Sequence, residues 1–196
     1  LLLLVGLLSI GINGLSDHLL PTLERTIMAF SIALIGWAFL DNDIQPGESV
    51  LHLPANAVLA GLSLIILIGF GITAADLFGT LNTTAASAFN QTGYGIIWAF
   101  GSAALSMFGV LLVAVLLRSL RDAPLKLIYF VVLFLGHGAT LYQAVQGTLL
   151  GDYAGAARLS FSAGSLVLTL IIFRVTLIHL RQRTPAPTPE VIYREV

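Results

Sequence analysis

Residues 154–180 read AGAARLSFSAGSLVLTLIIFRVTLIHL, and this stretch decides the fold of the chain. No charged side chain stands between Leu159 and Phe173, whereas Arg158 precedes this run and Arg174 follows it. In a helix that rises ~1.5 Å per residue, about 20 residues cross a hydrocarbon core of about 30 Å. The stretch is therefore long and apolar enough to cross a lipid bilayer.

The composition of the whole chain is typical of integral membrane proteins. Of the 196 residues, 57% are hydrophobic and 10% are charged, and the mean hydropathy is +0.95. Soluble domains carry about 25% charged residues. The net charge of -1 and the lack of a basic patch argue against a nucleic-acid partner. Because there is no cysteine, disulfides, thiolate metal sites and cysteine nucleophiles are excluded.

Hydropathy divides the chain into six apolar segments, and we predict a transmembrane helix in each. The segments are too long and too uniformly apolar for barrel strands, whose residues alternate. In lipid a single segment satisfies its backbone hydrogen bonds only as a helix. The sequence predicts an all-α, polytopic membrane bundle over residues 1–180. Its helices are expected at residues 1–15, 26–40, 55–78, 94–117, 125–150 and 154–180.

The segments outside these helices are polar links and a tail. Residues 16–25 are predicted to be a polar link, and residues 1–15 to belong to a membrane helix that starts further upstream. A signal peptide is the alternative for residues 1–15, but no small-residue cleavage site follows them. The tail over residues 181–196 contains three alternating prolines, which predict an extended linker.

The distribution of basic residues predicts how the chain is oriented in the membrane. The links at 41–54 and 118–126 and the C-terminal end fall on one side, which carries seven of the nine Lys and Arg residues. Basic residues gather on the cytoplasmic side of membrane proteins. We therefore predict a multi-pass protein of the bacterial inner (cytoplasmic) membrane, with its C-terminus in the cytoplasm.

His137 is the candidate contact for a cofactor. It lies in the run LGHGA (135–139), about 18 Å from the start of the fifth predicted helix. An ionisable group is costly at such depth and points to function, and the flanking glycines would admit a flat pigment or quinone. The alternative is a neutral imidazole hydrogen-bonded to a neighbouring helix, with glycines that serve close packing.

The other histidines do not complete a haem site. His179 lies at the far end of the sixth predicted helix, about 16 Å from the level of His137. His18 and His52 lie in links on opposite sides. We therefore expect no haem held between two histidines.

Three charged residues are predicted to have structural roles. Asp76 and Arg158 lie near the same side of the membrane, so they either form an ion pair or extend separately to the interface. Asp152 is predicted to cap the sixth helix, with an ion pair to Arg158 as the alternative. Because no acids follow one another at successive depths, we do not expect proton or ion transport.

Small residues recur every four positions in the fourth predicted helix. Gly95, Ala99 and Ala103 form one row, and Ser102 and Ser106 form a parallel one. Such rows allow helices to approach closely, either inside the bundle or against another integral membrane subunit.

The sequence contains no motif for catalysis. It has no nucleophile elbow, phosphate-binding loop, zinc motif or carboxylate pair. We expect neither enzymatic activity nor a bound metal, and membrane lipids are the expected ligands.

The last third resembles the N-terminal multi-helix membrane region of sensor histidine kinases from filamentous green bacteria. The resemblance is carried by residues 124–127, 133–137 and 151–159. In that family a helix that opens with a D-x-x-G-x-x-R-L-like run, here Asp152 to Leu159, is followed by a linker similar to residues 184–189. The resemblance implies a sensing or anchoring role. The chain departs from the family because it has no phosphoacceptor or ATP-binding region.

Two functions follow as hypotheses. The first is a non-catalytic accessory subunit of a larger bacterial membrane assembly, such as a photosynthetic or respiratory electron-transfer complex. The second is the membrane sensor or anchor of a signalling kinase. A kinase reading frame beyond the codon of Val196 would favour the second hypothesis, and a stop codon would favour the first.

Overall fold

The computed structural model describes residues 16–41, 49–80 and 89–183, which form five α-helices and one short 3-10 helix. Each α-helix contains a stretch that is long and apolar enough to cross a membrane. The prediction of an all-α chain is confirmed for this part of the chain, with five helices long and apolar enough to cross a membrane where about six were predicted. The predicted helix at 1–15 and residues 184–196 of the tail lie outside the described residues. The helices are α1 (Ser16–Asp41), α2 (Ser49–Thr80), α3 (Gly93–Val115), α4 (Ala123–Val145) and α5 (Gly155–Arg183), and the 3-10 helix is Phe89–Gln91.

Helix α1 begins ten residues earlier than predicted. The prediction of a polar link over 16–25 is wrong, since these residues are helical despite Pro21. Thr22 and Arg25 are only 0% and 3% exposed because they pack inside the bundle. Burial against other helices therefore outweighs the local polarity that suggested a link, in keeping with the weak role of local propensity in helix formation.

Helix α4 ends at Val145, whereas the prediction extended it to Leu150. Gly147 follows with φ +67° and Gly151 with φ +78°. Glycine adopts this left-handed backbone without a steric penalty, and it commonly ends helices in this way. The apolar residues Leu149 and Leu150 therefore belong to the turn before α5, and Leu149 is buried there.

The helices are antiparallel, so the links meet at two opposite ends of the bundle. At the first, called the Glu24 end, Glu24 on α1 bonds to Arg158 on α5. At the second, called the Asp122 end, Arg174 Nη2 lies 3.1 Å from Asp122 Oδ1. The described residues that flank the links predicted to share one side of the membrane lie at one end of the bundle.

Aromatic rings and glycines form the centre of the bundle between α1, α3 and α4. Phe39, Tyr129 and Phe130 contact one another edge to face, with centroids 5.2–6.0 Å apart. A Cβ atom on Gly109 would overlap the ring of Phe130, so this glycine lets α3 approach α4. Gly136 plays the same part between α4 and Ser160 on α5.

Helices α2 and α5 are the most exposed spans of the described chain. Only 17% of the α2 span and 11% of the α5 span is buried, compared with 39% for each of the other three. The side chains of these two helices therefore decide what the protein presents to lipid or to a partner.

Candidate functional site

A hydrogen-bonded network joins the links at the Glu24 end. Asp152 Oδ1 accepts from the backbone N–H of Phe89 at 2.7 Å, and Asn90 Nδ2 donates to the Gly151 carbonyl at 2.9 Å. Arg25 Nη2 donates to Asn90 Oδ1 at 2.9 Å. The network fixes the 3-10 helix against both α1 and the turn before α5.

Asp152 therefore differs from its predicted role as the cap of the last helix. Its carboxylate reaches a backbone amide 63 residues earlier in the chain. The turn that contains Gly151 packs on the 3-10 helix, where Asn90 also donates to the Gly151 carbonyl. A contact at this sequence separation leaves no local sign in the sequence.

Arg158 pairs with Glu24, so of the two interpretations of Asp76 and Arg158 the ion pair between them is wrong. Its Nε and Nη2 donate to the two Glu24 oxygens at 2.6 and 2.8 Å, and its guanidinium lies 4.1 Å from the centroid of the Tyr153 ring. Asp76 is hydrogen-bonded to the hydroxyl of Tyr94 instead. The two predicted partners are separated because α2 packs mainly on α1, whereas α5 packs mainly on α4.

The importance of Glu24 and Arg25 was missed because both were assigned to a polar link. The available signal was their position directly before an apolar run, at a spacing that continues the helix. Residues at three- and four-residue intervals lie on one helix face. Here this pattern is formed by Thr22, Arg25, Thr26 and Ala29.

His137 is fully buried in α4, about 12 Å from the end of the helix at Val145. Its ring lies edge-on to Phe161, with centroids 5.7 Å apart. Neither ring nitrogen has a hydrogen-bond partner among the residues that the structure describes. Of the alternative interpretation, the hydrogen bond to a neighbouring helix is therefore wrong for this part of the chain, whereas Gly136 does serve close packing.

Buried polar groups lie at the level of His137, in the half of the bundle nearest the Glu24 end. Ala99 clusters with Ala144, and Gly109 lies against Phe130, so the register places Ser102 and Ser106 at the level of His137. The Ser102 hydroxyl is buried and, like His137, has no partner among the described residues. Arg25 is close enough to His137 for an electrostatic interaction.

The two glycines beside His137 were predicted to admit a flat pigment or quinone, and they differ in the space beside them. The space at Gly136 is filled by α5, because a Cβ there would meet Ser160 and the Ala156 carbonyl. At Gly138 a Cβ would meet nothing within 4 Å, so this side of His137 is open.

The described residues contain no group of three or more His, Asp or Glu side chains that could hold a metal ion.

The predicted small-residue row lies inside the bundle. Gly95, Ala99 and Ala103 are all buried. A Cβ on Gly95 would overlap the Phe89 carbonyl and Asn90, so this glycine lets the 3-10 helix fold back on α3. Of the two interpretations, packing within the chain describes this row.

A groove of about 370 Å³ lies between α1, α2 and α3, in the half nearest the Asp122 end. Its wall is apolar, and Phe130 and Gly109 lie on it. The Trp37 ring also lines the groove, and its Nε1 donates to Asn56 Oδ1 at 2.7 Å, which ties α1 to α2.

Helix α5 presents two different exposed faces. Four hydroxyl residues lie with Arg158 within about 60° of one another around the helix, and a row of leucines lies about 90° further round. Each hydroxyl donates to the carbonyl four residues earlier in its own helix. The hydroxyl row is Ser162, Ser165, Thr169 and Thr176, and the leucine row is Leu159, Leu166, Leu170 and Leu177.

Comparison of the chain with family models, curated proteins and solved structures gives no match. The resemblance to sensor-kinase membrane regions stays a prediction.

Proposed function

We propose that this protein is a non-catalytic accessory subunit that packs against another integral membrane protein of a larger bacterial assembly. Photosynthetic and respiratory electron-transfer complexes are the class of assembly that we expect. The observation that carries this proposal is the hydroxyl row on the exposed side of α5. The proposed orientation places the Asp122 end and the C-terminus on the cytoplasmic side of the inner membrane.

The two outer helices differ in a way that separates lipid contact from protein contact. Helix α2 exposes bulky aliphatic residues such as Leu64, Ile65 and Ile68, each more than half exposed. Large aliphatic side chains suit lipid chains. Small and hydroxyl residues are instead enriched where membrane helices pack on one another, because they allow the backbones to approach closely. The hydroxyl row of α5 therefore favours a partner helix.

The leucine row on the same helix serves as an internal reference. Leu159 and Leu166 are 72% and 75% exposed, so this face resembles the lipid-facing side of α2. Between Arg158 and Thr169 one side of α5 departs from this composition. Beyond Thr169 the exposed side chains that lie in or beside the same sector are Ile172, Phe173 and Leu180. A partner that docks on the hydroxyl row would leave the leucine row in lipid.

The sensor or anchor function is the second candidate, and the continuity of α5 favours it. The helix runs without a break to Arg183, beyond the end of its membrane span at Ile178. Arg174 holds it to Asp122 at the α3–α4 turn. A shift of that turn would therefore reach the last residues of α5 along a rigid element.

Purification from the native membrane in a mild detergent tests the proposal. We compare Ser165→Leu/Thr169→Leu with the matched control Leu166→Phe/Leu170→Phe, which adds bulk to the other exposed face. The accessory-subunit function predicts a stoichiometric integral membrane partner that is lost only in the first variant. A stable monomer with no copurifying protein would argue against it.

Cross-linking through a single cysteine separates the two candidates. Ser165→Cys in the naturally cysteine-free chain gives one reactive position. A cross-link to a different membrane protein supports the accessory subunit. A cross-link to a second copy supports the sensor or anchor, since paired identical chains meet through the same surface.

A further inference from the structure

We propose that the groove between α1, α2 and α3 binds an acyl chain of an anionic phospholipid, whose phosphate contacts Arg118 and Ser119. The proposal does not depend on the partner of α5. It rests on the size of the groove, on the residues of its wall and on the charge at its mouth.

The size of the groove lies within the range of small-molecule sites. Its wall runs from Leu105 on α3 to Leu116 just after this helix, which corresponds to about 16 Å. The volume of the groove is about 370 Å³, and ligand pockets usually have about 300–1,000 Å³. The groove is therefore large enough to admit a hydrocarbon chain of a lipid.

The wall of the groove suits hydrocarbon along most of its length. Ligand pockets of this size are mainly apolar, with few polar groups that fix orientation. The Trp37 indole N–H is already bonded to Asn56, so it does not need a polar group of the ligand. The remaining lining residues outside the mouth are all apolar or glycine, among them Ile32, Val58, Leu62, Leu112 and Phe130.

Polar groups occur where the groove reaches the turn between α3 and α4. Ser119 and Leu120 line this end, and the neighbouring Arg118 is exposed. The acidic residue of the same turn, Asp122, is engaged by Arg174. The turn at this end of the groove therefore carries a hydroxyl on the lining and an exposed arginine next to it in the sequence. A guanidinium favours a phosphate over an uncharged headgroup.

The position of this mouth fits the membrane surface that is rich in anionic lipid. The Asp122 end belongs to the side with seven of the nine basic residues, which is the side we assign to the cytoplasm. Basic pockets between transmembrane helices on that side bind anionic headgroups. An anionic phospholipid satisfies the apolar wall and the charged mouth at the same time.

Tryptophan quenching by brominated lipid tests this proposal directly. The chain has two tryptophans, and Trp98→Phe leaves Trp37, on the wall of the groove, as the reporter. The purified protein is reconstituted in vesicles of phosphatidylcholine that contain a small fraction of brominated phosphatidylglycerol or brominated phosphatidylcholine. We expect phosphatidylglycerol to quench Trp37 with about fivefold higher apparent affinity, the effect of one basic residue near the surface.

Two variants and one control assign the effect to the groove. Arg118→Gln should remove the preference for phosphatidylglycerol, whereas Arg181→Gln, an equal loss of charge on α5, should keep it. Val58→Phe, which narrows the groove, should weaken quenching by both lipids while the far-ultraviolet circular dichroism stays unchanged. Equal quenching by the two lipids in the parent protein, or a preference that survives Arg118→Gln, would overturn the proposal.

Discussion

Glu24 on α1 and Arg158 on α5 form a two-pronged ion pair across 134 residues of sequence, with N–O distances of 2.6 and 2.8 Å. The pair is partly exposed, with 49% of the Arg158 side chain and 22% of the Glu24 side chain accessible. It closes the Glu24 end of the bundle between two helices that pack mainly on other elements.

Breaking this pair should cost little stability. Exposed ion pairs contribute roughly 0.2–1 kcal/mol because solvent screens them and the side chains lose freedom. Glu24→Gln and Arg158→Gln should each lower the free energy of unfolding in detergent by about that amount. The double variant should lose less than the sum of the two, and strictly additive losses would show that the two groups do not interact. Arg158→Lys keeps the charge but loses the two-pronged geometry.

Arg25 and Asn90 form a buried pair, for which the opposite result is expected. Arg25 is 3% exposed and Asn90 is 2% exposed. Asn90→Leu would leave a buried guanidinium without its amide partner, and an unsatisfied buried group costs about 1–3 kcal/mol, or more when it is charged. The measurement is thermal or denaturant unfolding, with the exposed neighbour Gln91→Ala as the control.

The double variant Arg25→Met/Asn90→Leu makes this prediction specific. Removing the charge together with its partner should recover part of the lost stability, because an apolar pair leaves no uncompensated group. If the double variant were as unstable as Asn90→Leu alone, the loss would come from the Asn90 bond to Gly151 and not from Arg25.

The helices themselves could be predicted from the sequence because lipid imposes a local rule. Any span must be long, apolar and helical, so the hydropathy of residues 154–180 was enough to place α5 to within three residues at either end. The links follow no such rule. Asp152 and Glu24 bond to groups 63 and 134 residues away, and these partners depend on how the helices pack. For the same reason the start of α1 was missed, since Thr22 and Arg25 become helical through burial.

The glycines of α3 allow a test of the packing between α3 and α4. Gly109→Ala places a Cβ against the Phe130 ring, and such overpacking typically costs about 1–3 kcal/mol. Gly101→Ala lies on the same helix with nothing within 4 Å of the added atom, so it should be neutral or stabilise by about 0.5–1 kcal/mol. A lower free energy of unfolding for Gly109→Ala, together with an unchanged or higher one for Gly101→Ala, would confirm the contact. Equal effects at the two sites would contradict it.

The stability of a His137 variant tests whether this residue has a role beyond the packing of α4. Both ring nitrogens are buried without a partner among the described residues, and an unsatisfied polar group costs about 1–3 kcal/mol. His137→Leu should therefore raise the free energy of unfolding of the purified protein, or leave it unchanged, if the imidazole binds nothing. Thr140→Val is the control, since the Thr140 hydroxyl already donates to the Gly136 carbonyl at 2.9 Å.

A clear loss of stability in His137→Leu, together with the loss of a pigment or quinone that can be extracted from the parent protein, would show that the imidazole holds a ligand. A stable, colourless variant with an unchanged extract would assign His137 to the packing of the bundle alone.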